Sequence, residues 1–135
     1  MLIKKEDVDL NLGYIRGGCK TKAGKNRFVP IHKDVLCLIR NRMNTEGEFL
    51  FQNESGHSMN YHEYRNRFNK VMKKLNMNHF PHDTRHTFIT LGKNCNMNEY
   101  VLKRIVGHAI QDVTEGVYTH RNQKDFYDEI CKIKV

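Results

Sequence analysis

Apolar residues recur along this chain in two rhythms, and each predicts an element. Residues 12 to 31 hold short β-prone runs, Tyr14-Ile15 and Arg27-Phe28-Val29, on either side of Lys22-Ala23-Gly24-Lys25. That glycine supplies the backbone freedom a tight turn needs, so the expectation is a small antiparallel sheet with a basic tip, ended by Pro30. From Lys33 to Met43, Val35, Leu36, Leu38, Ile39 and Met43 fall on helical spacing. Phe49-Leu50-Phe51, followed by the turn residues Asn53-Glu54-Ser55-Gly56, predicts a brief buried extended segment.

The clearest helical pattern comes next. Tyr64, Phe68, Val71, Met72 and Leu75 form one stripe, while Arg65, Arg67, Lys70, Lys73 and Lys74 take the other positions. One face is expected to pack and another to carry positive charge. Pro81 cannot continue a helix and biases Phe80 toward extended backbone, so a new helix should start near His82-Asp83, with Asp83 favoured by the helix dipole. Asn96 to Asn98 interrupt the pattern; Val101, Leu102, Ile105 and Val106 then mark a short helix stopped by Gly107. Phe126, Ile130 and Ile133 make a last stripe on a C-terminal helix, which either folds back or seats on a neighbouring copy.

Length and charge narrow the picture. At 135 residues one core is expected, with no repeat or linker to divide it. Twenty-three Lys and Arg against fifteen Asp and Glu leave a formal charge of +8, concentrated in Lys20 to Arg27, Arg65 to Lys74 and Lys103-Arg104. A polyanionic partner explains this best, although charge alone does not choose between DNA, RNA and anionic lipid. The cysteines, Cys19, Cys37, Cys95 and Cys131, have neither zinc-knuckle nor thioredoxin spacing and read as reduced thiols of a cytoplasmic protein. No apolar run suits a membrane span or a secretory signal.

Candidate chemistry lies mainly in the last third. Arg85 carries a planar fork suited to two phosphate oxygens, one helical turn from His82. The bland alternative is an arginine paired with Asp83 beside a capping histidine. Tyr118 would ordinarily be a packed aromatic, and Lys22 a solvated charge at a hairpin tip. His82 and His86 also have the i, i+4 spacing of zinc ligands, with His108 or His120 available as a third. A zincin, however, would want Glu where Asp83 stands, and Arg85 between the ligands disfavours a cation.

Four motifs in order, Thr21-Lys22-Ala23-Gly24, Pro81-His82-Asp83-Thr84-Arg85-His86-Thr87, Val106-Gly107-His108 and Val117-Tyr118-Thr119-His120, give the chain its resemblance to the tyrosine recombinase, or phage integrase, family. The resemblance covers nearly the whole chain and is closest to integrases of bacterial mobile elements. It implies a mainly α fold with a small antiparallel β-sheet, the tyrosine recombinase catalytic-domain fold. A three-stranded sheet is expected around residues 12 to 31, with the Lys22 hairpin leaning over the active site. Type IB topoisomerases share the chemistry but usually carry lysine where His82 stands.

The resemblance further implies roles. Tyr118 would attack the phosphorus and form a 3′-phosphotyrosine link. Arg85 and His108 would hold the phosphate, and His82 would hold it too or accept the tyrosine proton. Lys22 would be the general acid; Lys20 and Lys25 are rivals, but Lys22 matches the family's lysine by its distance from Pro30. His86, His120 and Asp83 would be structural. Lys20, Lys25, Arg27, Arg65, Arg67 and Lys70 are candidates for contacts to the DNA backbone. No metal and no cofactor such as ATP is implied. The implied partners are double-stranded DNA at attachment sites and three further copies in a synaptic tetramer.

One departure stands out. Family members carry another catalytic arginine in a Gly-x-Arg-x-x-Glu-like segment before the first strand, and here that stretch reads Met1-Leu2-Ile3-Lys4-Lys5-Glu6-Asp7-Val8-Asp9. The expectation is therefore that residues 1 to 135 are one C-terminal catalytic domain, cut short at its start, without the first arginine or the N-terminal DNA-clamping domain. Such a fragment would be catalytically impaired, since one lost transition-state contact costs roughly 10² to 10³ in rate. A DNA-binding fragment without activity is the competing expectation.

Overall fold

Helix α4 (Glu99–Val106) carries the core on one face, where Val101, Leu102, Ile105 and Val106 are all buried. Around it, in the computed structural model, which describes residues 3–17, 27–108 and 122–134, stand a three-stranded antiparallel sheet and four more helices. The fold is thus mainly helical with one small sheet. The sheet runs β1 (Val8–Asp9), β2 (Tyr14–Gly17) and β3 (Arg27–Pro30) in that spatial order. Strands β2 and β3 pair with Tyr14 opposite Pro30 and Gly17 opposite Arg27.

Strand β1 lies ahead of residues 12 to 31, where the sheet was expected. Two residues are too few to show alternation, and the turn after them is made by Asp9, whose Oδ1 accepts from the N–H groups of Asn11 and Leu12 at 2.9 and 2.8 Å. Gly13 completes the turn with a φ of +67°. The helix expected from Lys33 begins as a 3-10 turn, Lys33–Val35, and becomes α1 at Leu36–Met43. Leu50 is 1% exposed, in keeping with a buried segment there.

Helix α2 (Tyr61–Lys74) starts on a capping box in which Asn60 Oδ1 accepts from Glu63 N–H at 2.9 Å and Glu63 Oε2 accepts from Asn60 N–H at 2.8 Å. Its predicted apolar face packs only in part. None of its residues is fully buried: Tyr64, Phe68 and Met72 are partly covered, while Val71 and Leu75 are half exposed. The periodicity was enough for a helix but carried no information about a partner.

The C-terminal stripe behaves differently. In α5 (Gln123–Ile130), Phe126 and Ile130 are buried, as is Ile133 just beyond it, so the helix folds back on its own chain. Phe126 meets Phe28 of β3 edge-on, with centroids 5.5 Å apart, and Phe28 leans on Tyr14 at 4.7 Å. Two polar contacts fix the arrangement: Asn98 N–H donates to Glu129 Oε2 at 2.8 Å, and His32 Nε2 lies 3.0 Å from the Ile133 carbonyl. The first joins α5 to the start of α4.

Helix α3 (Asp83–Asn94) begins directly after Pro81. Asp83 Oδ2 accepts from Phe80 N–H at 2.8 Å and lies 3.5 Å from His79 Nδ1, which fixes the chain's entry into the helix. Gly92 faces α4 closely: a Cβ there would stand 3.0 Å from Leu102 Cδ1. Among the described residues no helix is long and apolar enough to cross a membrane.

Two outcomes follow from this packing. Phe126→Ala should cost about 3 to 5 kcal/mol of unfolding free energy in urea titrations of the monomer; a loss under about 1 kcal/mol would mean that α5 seats elsewhere. The Phe80 N–H, and after it His79, hold the Asp83 carboxyl below its usual value, so folding favours the ionised form. That contribution is present above the unfolded value of about 3.9 and is lost as pH falls through the lowered folded value. The melting-point gap between wild type and Asp83→Asn should therefore be open at neutral pH and close under acid; a gap independent of pH refutes the assignment.

Candidate active site

The first turn of α3 presents His82, Arg85 and His86 from one short stretch. His82 occupies the position just before the helix, with helical backbone angles, and its side chain caps nothing. Its ring meets that of His86 edge to face, with centroids 4.8 Å apart. No group of three His, Cys, Asp or Glu among the described residues could hold a metal ion, so this pair does not extend into a metal site there. Asp83 is engaged by Phe80 and His79, and among the described residues no carboxylate pairs with Arg85.

Arg85 instead reaches across to α4, where its Nη1 donates to the Val106 carbonyl at 2.5 Å. The last carbonyls of a helix lack partners within it and form the negative end of its dipole, so a guanidinium there is well placed. Helix α4 ends because Gly107 adopts a left-handed conformation, with φ +75° and ψ +38°. The N–H groups of Gly107 and His108 both turn back to the Lys103 carbonyl, at 2.9 and 3.0 Å. This closes the helix and leaves His108 exposed two residues beyond the carbonyl that Arg85 grips. Arg85 and the Gly107-His108 turn are thus joined, with His82 one helical turn from Arg85.

Arg27, expected among the contacts to the DNA backbone, stands partly buried at the start of β3. Its Nε is buried without a hydrogen-bond partner. Burial, and after it the positive charge of Arg85, lowers its pKa from the ordinary arginine value. The signal in the sequence was a cation at the start of a short strand leading into Pro30.

The remaining candidates divide into two groups. Lys20, Lys22, Lys25, Tyr118 and His120 lie outside the described residues. Arg65, Arg67 and Lys70 are exposed on α2 and form no ion pair with any described residue. On the same helix Tyr61, Tyr64 and Phe68 form a ladder of rings, with neighbouring centroids 6.5 and 6.2 Å apart.

Known proteins share sequence with this chain. The chain is 33% identical over 130 residues to the transposase from transposon Tn916 of Enterococcus faecalis, a match covering 83% of this chain and 32% of that protein. It is 28% identical over 150 residues to tyrosine recombinase XerA of Pyrococcus horikoshii, covering 98% of this chain and 48% of the relative. With tyrosine recombinase XerC of Oceanobacillus iheyensis the identity is 26% over 133 residues, covering 87% and 42%. The chain therefore spans between a third and a half of the length of these curated relatives. No solved structure matches it significantly. The sequence profile of the phage integrase family matches residues 1–125, and the chain belongs to that family.

Proposed function

We propose that this chain is the catalytic domain of a site-specific DNA recombinase that inserts or excises a mobile element. The observation that carries the reading is Arg85, a guanidinium pinned by the Val106 carbonyl beside the Gly107-His108 turn and paired with no described carboxylate. A fork held from one side and open on the other is suited to a phosphate group.

The step runs as follows. The Tyr118 phenol oxygen bonds to the phosphorus of a DNA phosphodiester while its proton passes to His82. The bond from phosphorus to the 5′ oxygen breaks, and Lys22 protonates that oxygen. Arg85 and His108 hold the phosphate oxygens as negative charge builds on them. The product is a 3′-phosphotyrosine link and a free 5′-hydroxyl. Attack of a 5′-hydroxyl on that link reverses the bond changes and seals a strand, so the energy of the diester is conserved. Four copies on two paired sites would exchange all strands, with α2 lying along the DNA backbone through Arg65, Arg67 and Lys70.

Incubating the protein with a nicked duplex that carries its element's end should yield a covalent protein–DNA band, absent in Tyr118→Phe and reduced roughly 10² to 10³-fold in Arg85→Lys. A band that survives Tyr118→Phe overturns the assignment of the nucleophile. Charge reversal at Arg65 and Arg67 together should weaken duplex binding and lower the salt slope by about 2, because each phosphate contact contributes about 0.9. An unchanged slope removes α2 from the interface.

A further inference from the structure

His82 stands at the very start of α3, where a helix does little to orient a side chain. Its backbone is already helical, with φ −71° and ψ −24°, but its ring is exposed and caps nothing. No helical turn precedes it, so the clash that restricts side-chain torsions inside a helix does not act on it. His86 lies four residues on and within the helix, its N–H directed to the His82 carbonyl at 3.4 Å. There the preceding turn excludes one of the three staggered rotamers, and the slant of helical side chains toward the N-terminus leads the His86 ring back over His82. The two rings meet edge to face, with centroids 4.8 Å and planes 84° apart. Asp83, between them in sequence, turns its carboxylate to the Phe80 N–H and to His79.

We propose that His86 is a positioning residue, whose ring holds the His82 imidazole at the angle from which it takes the nucleophile's proton, while touching neither the DNA nor the reacting atoms. This rests on the reading of the chain as a DNA-cleaving recombinase in which His82 is the proton acceptor, and it gives a role to a motif residue otherwise counted only as structural. An acceptor nitrogen must lie within hydrogen-bond reach of the proton it takes, and a ring free to turn is aimed elsewhere much of the time. An edge-to-face neighbour narrows that freedom before substrate arrives. The contact uses the shape of a ring and not its charge, so His86→Phe should preserve what His86→Gln loses.

The experiment joins NMR of the free 135-residue chain to the rate at which the covalent band forms on the nicked duplex at saturating protein. A nuclear Overhauser effect between the ring protons of His82 and His86 is expected; its absence overturns the proposal whatever the chain does to DNA. His86→Ala and His86→Gln should each form the band about two- to tenfold more slowly, at unchanged duplex affinity and melting temperature, as loss of an aromatic pair implies. His86→Phe should recover the wild-type rate to within about twofold, which a charge or a hydrogen bond at this position would not allow. In a His82→Ala background, His86→Ala should cost nothing further, because its effect passes through the His82 ring. Should His86→Ala fail to fold, His86→Gln and His86→Phe carry the same comparison. A wild-type rate in His86→Gln, no recovery in His86→Phe, or additive losses in the double variant each sink this inference alone, since the unmodified chain still forms the band. An unmodified chain that forms no band removes the recombinase reading and this one with it.

Discussion

A single hydrogen bond between helices, from Arg85 to the carbonyl of Val106, organises the site. It makes the direction of a long, flexible cation depend on the end of α4 and no longer on its own rotamers alone. Ordering an arginine costs about 2 kcal/mol of side-chain entropy, and fixing the guanidinium in advance removes part of that cost from the binding step. The same bond ties Arg85 to a carbonyl two residues before His108, with the left-handed Gly107 closing the helix between them.

That bond is only as firm as α4, which is held at both ends and along its length. Asn98 caps the first turn through Val101 N–H at 3.3 Å, and Glu129 receives the Asn98 N–H. Between the ends, Val101, Leu102, Ile105 and Val106 join Met97, Phe126 and Ile133 in one buried cluster. Helix α5 is therefore as much a part of the site's foundation as α3, although it contributes no side chain to the chemistry. Folding back on its own chain places the last apolar stripe where it supports α4.

How far the sequence could be read depends on how local each feature is. Helix α4 was legible because four apolar residues and a following glycine fix both its buried face and its end. The start of α3 was legible through Pro81 and Asp83, whose preferences act within one turn. Strand β1 was not, since it is two residues long and is defined by pairing with β2. The stripe on α2 shows the converse, a strong local period whose packing depends on a surface the local sequence does not describe. The recombinase motifs located His82, Arg85 and His108, but motifs record order along the chain. That β3 and α3 both rest on α4 is a relation no spacing encodes.

The unpaired state of Arg27 and Arg85 among the described residues sets this site apart from the basic surface around it. Exposed cations such as Arg65 and Arg67 are solvated and screened, so each carries its charge at little cost to folding. Arg27 instead holds a buried Nε without a partner, an arrangement that costs about 1 to 3 kcal/mol in the free protein. Folding tolerates this where the surrounding core is secure, and the packing of Phe28 against Tyr14 and Phe126 provides such a core one residue away. The cost falls on the free protein, and the cluster around α4 is what offsets it.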